Sequence, residues 1–210
     1  RCGFTELIKK KYDNKSKVFV VEANKLNIEK LKFCYRYYKN INIHNIAIST
    51  KNLEELTFYY AKDDSPHFQV CSSDFNHVKK NYPNSDIEKF FVRSFTINNF
   101  FKDNSINEID YLSIDIEGLD FEVIMSIDFS KFNIKNISIE YLHLTKNQKK
   151  KLISFLTKSG YSYCGFGYDH NNFDYLFCKK KIFWNRLLSK LIHRISIKHY
   201  KILNYFLLNN

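Results

Sequence analysis

The sequence lacks the long apolar segments that mark membrane-spanning proteins. No apolar run reaches the roughly 18–20 residues that a helix needs to cross a bilayer. Residues 1–4 (RCGF) do not show the charged start and apolar stretch of a signal peptide. We therefore expect neither a spanning helix nor a leader, and we expect a cytoplasmic protein.

Cysteines are few and are not spaced as metal ligands or as a disulfide framework. Their number, five, is odd, and no C-x-x-C pair or Cys/His cluster occurs. This pattern argues against a structural zinc site and is typical of a reducing compartment. The cysteines are Cys2, Cys34, Cys71, Cys164 and Cys178.

Acidic residues are absent from residues 179–210, which contain eight Lys and Arg. The net charge of +11 therefore falls to +3 for residues 1–178, so the excess charge is confined to a tail. Apolar residues recur in this tail at helical spacing, with basic residues between them. They are Phe183, Trp184, Leu187, Leu188, Leu191, Ile192 and Ile195. The pattern predicts a basic amphipathic helix.

Three interpretations of this tail remain open. In the first, the tail is a helix that packs on its own domain or on a second copy of the chain. In the second, the tail makes a peripheral contact with a membrane surface. RNA binding ranks third, because no RNA-binding motif accompanies the basic residues. We expect no nucleic-acid partner.

The body, residues 1–178, has the length of one α/β domain. Residues 17–22 (KVFVVE) form a continuous apolar run that is typical of a strand buried on both faces. Residues 26–38 have helical spacing, and residues 41–48 predict a second strand. Strand, helix and strand in this order indicate a βαβ unit. A first helix is predicted over residues 5–12.

Residues 49–97 interrupt this rhythm and predict an insertion containing a hairpin. Such long connections often carry specificity. Regular elements resume afterwards. Strands are predicted over residues 108–115, 134–140, 161–166 and 173–178, and helices over 119–127 and 145–159.

Carboxylates end three of the predicted strands: Glu22, Asp115 with Glu117, and Glu140. In open α/β sheets, ligands bind outside the carboxyl ends of the strands. Glu22 is placed to accept hydrogen bonds from a ribose, a device that NAD proteins and S-adenosylmethionine proteins share. A capping or solvated acid is the alternative interpretation at each position.

The segment IDYLSIDIEGLDFEVI (residues 109–124) resembles the signature of the FkbM-type methyltransferases. Strand alternation places Asp115 and Glu117 on one side, and Gly118 allows a tight turn. Five more segments resemble the same family in the same order. They are VFVVEANKLNIEKL (18–31), HNIAIS (44–49), VRSFTINNFF (92–101, with Asn98 where Asp is usual) and the strands 137–140 and 172–179.

The resemblance implies a Rossmann-like class I methyltransferase sheet with helices on both faces. It implies S-adenosyl-L-methionine as cofactor and a hydroxyl acceptor on a sugar, a glycan or a small polar metabolite. Asp115 is then the first candidate for the general base, and Glu117, Glu140 and His143 are weaker candidates. The implied cofactor-binding residues are Gly3, Glu22, Asn45, Ala47 and Asp115. No close-spaced set of metal ligands is visible, and we expect no metal.

The family binds the methionine part of the cofactor with a Gly-rich turn after its first strand, and Gly3 matches only the end of that turn. We therefore expect the first strand and most of the loop to lie upstream of Arg1, since the chain has no initiator Met. We also expect the chain as given to bind the cofactor poorly and to be inactive by itself. Two rivals remain. One is another Rossmann enzyme, such as a nucleotide-sugar dehydrogenase. The other is a non-catalytic remnant that acts as an interaction or membrane-attachment module.

Overall fold

The computed structural model of the chain describes residues 16–64, 70–116, 118–167 and 173–180. The predicted helix at residues 5–12, the tail beyond residue 180, Gly3 and Glu117 lie outside these ranges. The helices are α1 (Lys25–Tyr35), α2 (Phe75–Asn81), α3 (Ile97–Asp103), α4 (Asp120–Met125) and α5 (Lys146–Lys158). The strands are β1 (Val18–Val21), β2 (Ile41–His44), β3 (Ala47–Ser49), β4 (Leu53–Ala61), β5 (Cys71–Ser72), β6 (Ile87–Thr96), β7 (Glu108–Ile109), β8 (Leu112–Ile114), β9 (Asn133–Ile134), β10 (Asn136–Glu140), β11 (Tyr161–Phe166) and β12 (Asp174–Lys179).

The fold is mixed α/β, as the sequence predicts. The strands of the described ranges form four sheets: β1–β2, β11–β12–β10–β8, β3–β6–β4–β5 and β7–β9. Strands β1 and β2 are parallel and are joined by α1, which confirms the predicted βαβ unit. Strands β8 and β10 are also parallel, with Ile114 opposite Ile139. A single Rossmann-like sheet remains a prediction.

Three predicted strands are each divided in two. Residues 108–115 become β7 and β8, and residues 134–140 become β9 and β10. At this break the side-chain amide of Asn136 donates a hydrogen bond of 2.7 Å to the carbonyl of Asp110. Residues 41–48 become β2 and β3, which belong to different sheets.

The insertion is a sheet with one short helix. Strand β6 runs antiparallel to β4 and parallel to β3, and β5 pairs with the end of β4 to give the predicted hairpin. Helix α2 was not predicted, because it has seven residues and only Val78 of them is buried. Helix α3 was also missed. Its signals are the Thr96 cap and the buried Ile97, Phe100 and Phe101 at helical spacing.

The main core lies between α3, α4, α5 and the strands β8 to β12. Phe19 and Val21 of β1 pack against the same core. The ring of Phe100 contacts Phe19 and His44 edge to face, with centroids 6.2 Å and 5.2 Å apart. The β1–β2 pair is therefore attached to the rest of the domain through α3.

Among the helices of the described ranges, none combines the length and the apolar character needed to cross a membrane.

Candidate active site

The carboxyl ends of β8 and β10 bring two of the predicted acids to one edge. Ile114 and Ile139 are opposite each other in parallel strands, so Asp115 and Glu140 are the next residues along two neighbouring strands. Neighbouring strands lie about 4.8 Å apart. Asp115 is exposed, whereas the Glu140 side chain is only 11% exposed. The two predicted acids therefore occupy neighbouring positions at the same edge of the sheet.

Glu22 follows β1 directly and is held by the start of α1. Its Oε1 accepts a hydrogen bond from the backbone N–H of Asn24 at 2.7 Å, and its Oε2 accepts one from the Asn27 amide at 3.5 Å. Asn24 caps α1 by accepting from the backbone N–H of Leu26 at 3.0 Å. The helix start therefore fixes the orientation of the Glu22 carboxylate.

The turn after β1 is also tied to the segment after β2. The Asn45 amide donates to the carbonyls of Glu22 and Ala23 at 2.9 Å and 3.0 Å. Asn45 therefore positions the predicted cofactor residue Glu22. Ala47 lies in β3 and is 2% exposed, packed with Phe58 of the insertion core. Ala47 is therefore a core residue, and its assigned contact with the cofactor stays a prediction.

Burial raises the pKa of Glu22 above its ordinary value of 4.5, against the opposing effect of the hydrogen bonds from Asn24 and Asn27. A hydrogen bond to a partly desolvated carboxylate is stronger than the same bond in water. Glu22 is thus suited to bind a neutral hydroxyl group.

The loop after β8 is shaped by Asp120, a residue that the sequence analysis did not single out. Asp120 is 2% exposed, and its two oxygens accept from the backbone N–H groups of Ile116 at 3.0 Å and Gly118 at 3.2 Å. Gly118 has φ of +114°, which favours glycine. Burial raises the pKa of Asp120, while these two donors and the nearby His143 lower it.

His143 and Glu140 form a pair at the end of β10. Nε2 of His143 lies 3.6 Å from Oε2 of Glu140. The His143 ring also meets His77 of α2 edge to face, with centroids 4.8 Å apart and planes at 82°. His143 is one of the catalytic candidates predicted from the sequence, whereas His77 has no recognisable motif around it.

The insertion also approaches the loop that carries Asp115. A Cβ built on Gly118 would lie 3.8 Å from Oγ of Ser72, at the end of β5. Ser72 in turn accepts from the backbone N–H of Asp74, the cap of α2. The insertion therefore forms one wall of this edge.

The structure thus places Asp115, Glu140 and His143 in one region and Glu22 with Asn45 in another. Gly3 and Glu117 lie outside the described residues, and their assigned roles remain predictions. Among residues 16–64, 70–116, 118–167 and 173–180, no group of three or more His, Cys, Asp or Glu side chains is placed to hold a metal ion.

Comparison of the chain with known protein families identifies its family. Residues 2–163 match the methyltransferase FkbM domain. The chain belongs to the FkbM methyltransferase family, and the resemblance carried by residues 109–124 is confirmed. Comparisons with curated proteins and with solved structures gave no match.

Proposed function

We propose that the chain is an S-adenosylmethionine-dependent O-methyltransferase that acts on a hydroxyl of a sugar, a glycan or a small polar metabolite. The carboxylate of Glu22, fixed at the end of β1, carries the cofactor part of this proposal. The acceptor class comes from the family resemblance. The enzyme class is that of the family.

The residues present fit the ribose of this cofactor. A carboxylate offers about four lone-pair positions. Asn24 and Asn27 occupy two of them, which leaves two for a ribose diol. The Nδ2 atom of Asn24, the residue that caps α1, is buried and has no hydrogen-bond partner among the described residues.

We also propose that two of the sheets belong to one Rossmann-like sheet. In the described ranges, β1 pairs only with β2, and β8 pairs only with β10, so each presents an open edge. Phe19 and Ile114, one on each edge strand, share the same core. One further strand between β1 and β8 would join them.

The chemistry requires a proton acceptor near the acceptor hydroxyl. The cofactor supplies an electrophilic methyl group on a sulfonium. We propose that Asp115, exposed after β8, orients the hydroxyl and takes its proton. Glu140 and His143 lie on the neighbouring strand end and provide a second route for that proton.

Calorimetric titration of the full-length protein with S-adenosylmethionine and, separately, with NAD⁺ tests the proposal. We expect binding of the first and none of the second. Selective NAD⁺ binding would transfer the assignment to a dehydrogenase. Absence of both, with a folded protein by circular dichroism, would favour an interaction module and refute the enzyme assignment for this chain.

A further inference from the structure

The outer face of α1 carries two highly exposed aromatic rings. Phe33 is 66% exposed, and Tyr37, in the turn after the helix, is 78% exposed. The buried residue of α1, Ile28, lies on the other side of the helix. A single apolar side chain at a surface is ordinary, but neighbouring large ones indicate a site of contact.

Basic side chains surround the two rings. The guanidinium of Arg36 lies over both, with its carbon 4.0 Å from the centroid of Phe33 and 4.5 Å from that of Tyr37. Lys30 is exposed three residues before Phe33 and so lies on the same side of the helix. Lys39 is exposed two residues after Tyr37. We call these five residues the α1 patch.

The charge of the chain is divided unevenly along the sequence. Residues 1–53 contain twelve Lys and Arg and four Asp and Glu, which gives +8, whereas residues 54–178 contain thirteen and eighteen, which gives −5. Between Glu22 and Glu54 the sequence has one acid, Glu29, and it forms an ion pair of 2.8 Å with Lys32. The α1 patch therefore lies in the positive part of the chain, which favours an anionic partner.

We propose that the α1 patch binds the anionic surface of a membrane. The rings of Phe33 and Tyr37 lie at the level of the lipid headgroups, where amphipathic aromatic side chains are enriched. The basic residues of the patch face the lipid phosphates. This contact involves the body of the chain, and it depends neither on the tail nor on the proposed activity.

The same observations argue against two other occupants. A second copy of the chain, related by a two-fold axis, would bring one basic patch against another, and like charges facing each other are costly. Single-stranded RNA binds by stacking its bases on open ring faces. In the α1 patch the guanidinium of Arg36 already covers one face of each ring.

The direction of α1 keeps the patch away from the candidate site. The helix starts at the cap Asn24, beside Glu22, and runs back past Phe33 towards the start of β2. Nine residues of helix separate Asn24 from Phe33, a rise of about 14 Å. A membrane bound at the α1 patch would therefore leave the edge that carries Glu22 open to solutes.

Co-sedimentation of the full chain with vesicles tests the proposal. The vesicles consist of phosphatidylcholine alone or of phosphatidylcholine with phosphatidylglycerol, and we expect salt-sensitive binding to the second kind only. A Lys30→Glu, Lys39→Glu double variant should bind about 20-fold less or weaker still, since each basic residue near an anionic surface contributes about a factor of five. A Phe33→Ser, Tyr37→Ser double variant should bind about 5-fold less or weaker still.

Two matched controls separate the patch from net charge and from exposed aromatic area. Lys146→Glu, Lys150→Glu makes the same change of charge at exposed positions of α5. Phe91→Ser removes a ring that is 55% exposed on β6, with the Lys89 ammonium 5.8 Å from its centroid. Both controls should bind at least several-fold better than the corresponding patch variants.

The measurements are repeated with Lys190→Glu and Arg194→Glu added to each protein, so that the tail does not hide the effect of the patch. Equal binding by the patch variants and their controls would overturn the proposal, as would a wild type that ignores anionic vesicles. Sedimentation velocity and retention of an oligouridylate are measured on the same proteins. A dimer or an RNA complex that is lost only in the patch variants would assign the patch to that partner and overturn the membrane contact.

Discussion

Oδ2 of Asp120 accepts a hydrogen bond from the backbone N–H of Gly118 at 3.2 Å, so a buried acid at the start of α4 fixes the loop that follows β8. The second oxygen binds Ile116 in the same way. The loop that presents Asp115 is therefore organised from behind, by a residue that does not need to contact a ligand.

Asp120→Ala should lower the free energy of unfolding by about 1–3 kcal/mol, because it removes two hydrogen bonds to the loop, each worth about 0.5–1.5 kcal/mol. Urea denaturation followed by circular dichroism measures this. Glu122→Ala is the control, since Glu122 is an exposed acid in the same helical turn. Equal losses in the two variants would assign the effect to the helix terminus instead.

Glu22→Gln should weaken S-adenosylmethionine binding by about 10-fold or more, because the variant loses charge-assisted hydrogen bonds of about 1.5–3 kcal/mol each. Glu29→Gln, on the exposed side of α1, should bind as the wild type does. Affinity should also decline as the pH falls through the raised pKa of Glu22, since protonation removes the charge. Calorimetry at several pH values measures both effects. Equal affinity in Glu22→Gln and the wild type would refute the assignment.

Asp115→Asn should reduce turnover by about 100- to 10,000-fold if Asp115 takes the proton of the acceptor. Thermal stability should stay near normal and cofactor binding should stay measurable, because Asn is nearly isosteric and the position is exposed. Release of S-adenosylhomocysteine with a panel of polyhydroxylated acceptors is the measurement. Full turnover in the variant would move the role to His143 or Glu140.

His44 should make the domain sensitive to acid. Burial lowers its pKa below 6.5, so the unfolded chain binds a proton that the folded chain does not. Its contribution is therefore present above pH 6.5 and is lost as the pH falls below that value. His44→Phe, which keeps the ring contacts with Phe19 and Phe100, should reduce the difference in unfolding free energy between pH 7.5 and 5.5. If the wild type and His44→Phe show the same difference in unfolding free energy between the two pH values, His44 is not the source of the acid sensitivity.

The tail beyond residue 180 should bind anionic vesicles if it forms the basic amphipathic helix that its sequence predicts. A Lys190→Glu, Arg194→Glu double variant should bind less, at about 1 kcal/mol for each basic residue near the surface. Co-sedimentation at low and high salt measures this. Binding that is unchanged by the variant and by salt would exclude an electrostatic membrane contact.

The elements that were predicted well are those whose signals are local. Helix α5 has a Thr145–Gln148 capping box and ends before Gly160, which has φ of +92°. The β11–β12 hairpin likewise lies within one residue of its predicted bounds. The family was recognisable because residues 109–124 combine several ordered matches in one segment.

The predictions that failed depend on contacts that the sequence does not display. The break between β2 and β3 is fixed by Asn45, whose amide binds the carbonyls of Glu22 and Ala23 across the sheet. Likewise Asn98, which stands where the family usually has Asp, donates to Ser126 and accepts from Asp128. Only the folded chain shows that both sides of this amide are used.

The position of His77 follows from long-range folding, since no local pattern distinguishes it from an ordinary surface histidine. Its neighbour in the structure is more than fifty residues distant in sequence. Asp120 was missed for a different reason. An acid in the first helical turn is common, and its two bonds to the preceding loop are visible only once the turn at Gly118 is formed.

The sheet of the insertion shares no strand with the β1–β2 pair, although β3 begins three residues after His44. Under the proposed function, this division allows the site for the methyl acceptor to change by substitution independently of the site for the methyl donor. Substitutions in α2 or β5 can remodel the wall at His143 and Gly118 while the contacts of Glu22 persist. Duplicated copies of such a gene could diverge in acceptor without passing through a form that has lost its methyl donor.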